Sequence, residues 1–146
     1  MSGVRVYGYQ TATTAANVVA PAAIGTNINV MISPSVQPKK WMAMSNAFNF
    51  IKDLEAYILQ PNISSPQLGP LVFTGAKEGN NGRLLMISSF SEVPQTLNID
   101  FTPYAYGGTI TRYRVSPTSY ANTIIPKTSG EAITLAPGET AAYLFQ

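Results

Sequence analysis

The chain contains no cysteine and no histidine. The first absence removes disulfides, thiolate metal sites and a cysteine nucleophile, and leaves the redox compartment undecided. The second removes the Ser–His–Asp triad, the Cys–His dyad and every histidine-ligated metal centre, so no metal and no cofactor is expected. Charge is sparse too: Asp, Glu, Lys and Arg make up 11% of the 146 residues, against about 25% in an average soluble domain. Nine basic and seven acidic residues are scattered singly, with Lys39 and Lys40 the only adjacent like pair. Nothing resembles a phosphate-tracking stripe, and nucleic acid is not an expected partner. No apolar run approaches the ~20 residues needed to cross a bilayer, so a membrane is not expected either. Met1, Ser2 and Gly3 open no charged leader with an apolar core. A surface made polar by Thr, Ser, Asn and Gln suits a secreted or cell-surface parent, whose export signal would lie outside this chain.

What is present is the material of one folded domain, or of one domain with a small appendage: 45% hydrophobic residues, with eight Tyr and six Phe along the chain. Val4 to Gln10 alternates as a short strand. Residues 11–26 lose periodicity and read as a long loop, and Asn27 to Ile32 forms a second short strand before Ser33 and Pro34. Trp41, Met44, Phe48, Ile51, Leu54 and Ile58 then recur at spacings of three and four, with Ala47 beside them. This predicts an amphipathic helix, opened near Pro38 and stopped by Pro61, that buries the stripe as part of the core.

From Leu71 onward, short apolar runs alternate with turn chemistry. Strands are expected near 71–77, 83–90, 95–101, 109–115, 121–127, 131–135 and 140–145, with Leu97, Ile99 and Phe101 turned inward and the last strand deep in its sheet. Gly79, Asn80, Asn81 and Gly82 join two strands and lack a following Lys-Ser/Thr, so they form a hairpin turn and not a phosphate loop. The predicted fold is mainly β, an antiparallel β-sandwich with one packed amphipathic helix and an N-terminal strand-loop segment. Strand, loop and helix occupy 1–61 and the sandwich occupies 62–146.

Paired carboxylates are the one remaining route to glycosidic cleavage, and they must flank a bond at about 5–9.5 Å. The seven acids are Asp53, Glu55, Glu78, Glu92, Asp100, Glu131 and Glu139. Asp53 and Glu55 point to different faces of the helix, and the other five fall in or beside turns, so no catalytic residue is assigned. Among the aromatics, Trp41, Phe48 and Phe50 read as core before ligand platform. Tyr104 and Tyr106 stand near a turn, where they could stack on sugar rings or pack the sandwich edge. Tyr7 and Tyr9 share one face of the first strand, with burial as the alternative to contact. These four tyrosines are the candidate carbohydrate contacts.

A strand ending in Tyr7, Gly8 and Tyr9, a long loop, the helix WMAMSNAFNFIKDLEAYILQP (41–61) and then a β-sandwich resembles the C-terminal end of clan-A glycoside hydrolases. The phrases RLLMISSFSEVPQTLNIDFTPY (83–104), GGTITRYRV (107–115) and LAPGETAAYLFQ (135–146) carry the closer similarity. The resemblance implies the last barrel strand and helix followed by an accessory sandwich. It also implies that the family's two catalytic carboxylates would precede residue 1, with no counterpart here. The expected role is non-catalytic, as support for a catalytic barrel or weak glycan contact. The rivals are a free-standing carbohydrate-binding module and a self-assembling structural protein. A homo-oligomer is expected, with residues 4–10 and part of 41–58 at its interface, because an unpaired apolar strand needs cover.

Overall fold

The computed structural model describes residues 38–146, so the strands read at Val4 to Gln10 and Asn27 to Ile32 lie outside the described residues. The first element among the described residues is the helix α1 (Pro38–Ile58), which begins on Pro38, where a missing N–H costs nothing. Its last turn tightens as Gln60 N donates to Tyr57 O at 3.0 Å, and Gln60 Nε2 satisfies Ala56 O at 2.9 Å before Pro61 turns the chain away.

Eight strands follow: β1 (Asn62–Ile63), β2 (Val72–Gly79), β3 (Gly82–Ser89), β4 (Gln95–Asp100), β5 (Ile110–Val115), β6 (Tyr120–Ile125), β7 (Gly130–Leu135) and β8 (Thr140–Phe145). The seven strands expected from turn chemistry are all present, and β1 is an addition too short to leave a periodic signature. A six-stranded sheet has the order β1-β2-β3-β8-β5-β6, and β4 pairs with β7 in a second, two-stranded sheet. All pairings are antiparallel. The predicted β-sandwich is therefore what forms.

The large sheet is covered on both faces. Leu84 and Met86 of β3 with Ala142 and Leu144 of β8 meet Met44, Ala47, Phe50, Leu54 and Ile58 of α1. The intervening residues Leu85, Ile87, Ala141, Tyr143 and Phe145 meet Leu97, Ile99, Ile133 and Leu135 of the small sheet. Double cover explains why all six residues of β8 are buried and why its sequence shows no polar-apolar alternation. The β2–β3 hairpin turns at Asn80 and Asn81, with Gly79 opposite Gly82. At Gly82 (φ +154°) a Cβ would meet the Phe145 carbonyl oxygen at 2.4 Å, so the approach of β8 itself requires glycine there.

The helix is rotated from the expected stripe. Leu54, Ile58 and Met44 are buried as expected, but Phe48 is 45% exposed and Trp41 46% exposed, whereas Phe50 is fully buried. Phe48 and Trp41 are therefore not core residues. Phe48 lies about 160° around the helix from Phe50, so one helix cannot bury both rings against one sheet. The sheet offers the better socket to Phe50: Tyr113 and Tyr120 meet its ring edge-on at 6.4 Å and 6.2 Å. Polar ties fix that rotation. Tyr120 Oη donates to Asp53, Gln146 Nε2 donates to Tyr57 Oη at 2.6 Å, and Asn46 Nδ2 reaches Pro117 O at 3.4 Å.

Candidate functional site

All seven acids fall among the described residues, and five are tied to a neighbour. Asp53 accepts from Tyr120, Glu78 pairs with Arg83 at 2.6 Å, and Asp100 accepts from Thr102 N at 2.8 Å. A hydrogen bond from the Thr102 side chain first, and then that backbone hydrogen bond, hold the Asp100 carboxyl below the usual carboxylate range. Glu55 and Glu92 are exposed.

The other two acids belong to a charged seam between the sheets. Arg112 and Arg114 sit on β5 opposite Tyr143 and Ala141 of β8, on the face that meets the small sheet. Arg112 pairs with Glu131 of β7. Arg114 Nε donates to Glu139 Oε1 at 2.6 Å and Nη2 donates to Thr134 O at 2.8 Å. Glu139 raises the Arg114 pKa, chiefly through that hydrogen bond. The hydroxyl of Tyr143 is buried beside this seam, and burial first, then the negative charge of Glu131, pushes its pKa up. A glycosidase needs one carboxyl kept protonated by apolar surroundings. Both seam carboxylates face an arginine instead, so the arrangement clamps the layers together.

The two described candidate tyrosines part company. After β4, a short 3-10 turn (Thr102–Tyr104), with Pro103 in its first residues, drives Tyr104 inward. Tyr104 is 4% exposed, stacks on Phe145 with ring centroids 6.0 Å apart, and donates to Ser64 O at 3.0 Å. Burial, then the charge of Asp100, raises its pKa. These contacts are those of the edge-packing alternative. Tyr106 is 37% exposed and donates to Asn80 O at 2.8 Å. The two rings form no exposed coplanar pair. Tyr7 and Tyr9 lie outside the described residues.

Tyr106 borders a cleft of about 230 Å³ between the 101–109 and 125–130 loops. Phe101, Ile110 and Phe145, each buried, form its apolar base, and Lys127, Thr128 and Ser129 come from the opposite loop. Lys127 Nζ donates to Gly107 O at 2.6 Å. Gly107 (φ +51°) has no room for a Cβ, which would overlap the Gln146 backbone at 2.1 Å. Sequence reading missed Lys127 and its neighbours because they meet Tyr106 only through the β5–β6 and β4–β7 pairings. Among the described residues, no group of three acids stands close enough to hold a metal, and no helix is long and apolar enough to cross a membrane.

The sequence matches no protein-family model and no curated protein. Solved structures do match. A GH30 endoxylanase from Clostridium papyrosolvens C71 superposes with a TM-score of 0.59 at 11% identity, over 99% of this chain and 42% of that one. A glycoside hydrolase family 30 subfamily 8 xylanase from Clostridium acetobutylicum gives 0.54 at 13% identity, over 98% of this chain and 42% of that one. At such identities the likeness is one of fold, and the chain spans under half the length of either enzyme. The likeness of fold to these two glycoside hydrolases agrees with the resemblance read from the sequence.

Proposed function

We propose that the chain is a non-catalytic accessory domain of the glycoside-hydrolase kind, whose sandwich supports a neighbouring catalytic body through the outer face of α1. The observation that carries this reading is the exposure of Trp41 and Phe48 on one face of α1, with Leu59 just beyond its end. Single apolar side chains at a surface are ordinary. Trp41 and Phe48 stand about two turns apart on the face opposite the sheet, Leu59 follows just past the end of the helix, and exposed Ser45, Lys52 and Glu55 stand among them. Large apolar side chains set among polar ones are the composition of an interaction face. The carboxylates agree with this role, since those of the seam are committed to arginines. Weak glycan contact falls to Tyr106, with Tyr7 and Tyr9.

The purified chain should hydrolyse no member of an aryl-glycoside panel. Reproducible turnover that disappears on mutating any one of the seven acids would overturn the non-catalytic reading. Firm retention on cellulose, xylan or chitin would favour a free-standing carbohydrate-binding module. A second reading shares the same observation: that face of α1 would equally suit a second copy of the chain, making it a self-assembling homo-oligomer, and mass in solution separates the two.

A further inference from the structure

We propose that the cleft between the 101–109 and 125–130 loops binds a small flat aromatic acid, one ring bearing one carboxylate. The base sets the shape. Phe101 and Phe145 meet edge-on with centroids 5.3 Å apart, and Ile110 completes an apolar floor. A ring laid there is removed from water against rings and methyl groups, which is where its affinity comes from. The size agrees: an apolar cavity of about 150 Å³ holds benzene, and 230 Å³ leaves room for one further small group.

The charge at the mouth selects that group. Among the described residues, Lys127 is the sole ionic side chain lining the cleft. Its ammonium spends one N–H on Gly107 O and retains two for an anion. Glu131, the acid nearest to Lys127 along the chain, is paired with Arg112, and Asp100, next to Phe101, is turned to Thr102 N. No carboxylate lines the cleft to compete for the lysine. A sugar fits poorly, because each hydroxyl buried without a partner is costly. The cleft offers only the hydroxyls of Thr102, Tyr106, Thr128 and Ser129 besides the lysine, and no carboxylate or amide side chain. This site is separate from the outer face of α1, but it shares Tyr106 with the proposed weak glycan contact, and titration with a xyloside distinguishes the two.

The test is titration of the full chain with benzoate, benzyl alcohol and methyl β-xyloside, followed by amide shifts in NMR spectra. Benzoate should saturate shifts at residues 101–110 and 127–129 with a Kd of about 1 mM or below. Benzyl alcohol should bind there roughly fivefold more weakly, as expected for loss of one exposed charge contact. Lys127→Gln should bring benzoate down to the level of the alcohol while leaving the alcohol and the melting temperature unchanged. Ala105→Phe, which fills the cleft from an exposed position, should abolish both. Absence of saturation by benzoate at about ten times that concentration, unchanged benzoate affinity in Lys127→Gln, or tighter binding of the xyloside would each overturn the proposal.

Discussion

Glu139 holds Arg114 with one carboxylate oxygen and its own turn with the other: Oε1 accepts Arg114 Nε at 2.6 Å and Oε2 accepts Ala136 N at 2.8 Å. One side chain thereby fixes both the β7–β8 turn and the seam between the layers. Glu139→Ala should lower stability by about 2 kcal/mol, within the range for hydrogen bonds to charged groups, discounted because the arginine is part-exposed. Glu139→Gln, which keeps one acceptor, should lose less. Urea midpoints of the two variants check the order, and equal stability of Glu139→Ala and wild type would show the clamp to be idle.

The rotation of α1 yields an asymmetric pair of aromatic truncations. Phe50 is fully buried against Tyr113 and Tyr120, so Phe50→Ala should cost about 3–5 kcal/mol. Phe48→Ala removes a ring that is 45% exposed and should cost under about 1 kcal/mol. Denaturant titration of both variants tests whether the sheet buries the Phe50 face in solution.

The sandwich strands were legible because each is short and bounded by turn residues, so a period of two and a few Gly, Pro and Asn positions suffice. The helix was legible as an element but not in its rotation. Trp41, Phe48 and Phe50 are all large and apolar, and only the socket made by Tyr113 and Tyr120, over sixty residues later, decides which ring goes inward. The cleft was illegible for the same reason. Lys127 and Tyr106 come together through strand pairing, and their spacing in sequence carries no motif. Tyr104 and Tyr106 stood as one candidate pair until the turn at Pro103 sent the first into the core.

Alkaline pH should unfold the protein through its tyrosines. Burial raises the pKa of Tyr143, with Glu131 adding to it, and burial first, then the hydrogen bond to Asp53, raises that of Tyr120. Above about pH 10 the unfolded chain releases these protons while the folded chain keeps them. The unfolded state then binds fewer protons and stability falls with pH. Tyr143→Phe should flatten that fall, which stability curves measured from pH 8 to 11 would show. An unchanged slope would mean that the hydroxyl is hydrated.

Lys77 acts in the opposite direction. The residue is 4% exposed on β2, opposite Leu84, and desolvation lowers its pKa. Between that lowered folded value and the ordinary lysine range, the unfolded chain binds more protons, so stability rises with pH. Lys77→Met should remove this rise and raise stability at neutral pH, since an apolar side chain of similar length needs no charge solvated. A Lys77→Met variant less stable than wild type at pH 7 would show that the ammonium reaches water at little cost.

The outer face of α1 decides between the two bodies that could cover it. Trp41, Phe48 and Leu59 are 46%, 45% and 75% exposed, and Met42 is 51% exposed beside them. A twofold axis would bring Trp41 and Phe48 against their own copies, with Lys52 of one subunit free to meet Glu55 of the other, since self-complementarity is what an isologous interface requires. Light scattering at micromolar concentration should then report a dimer. The double variant Trp41→Ser, Phe48→Ser should report a monomer with a melting temperature close to wild type, because neither side chain supports the fold. If the wild-type chain is already monomeric, the second copy is excluded as the cover and the face remains for a catalytic body. A dimer that survives the double substitution would place the contact elsewhere and remove the support for both readings of this helix.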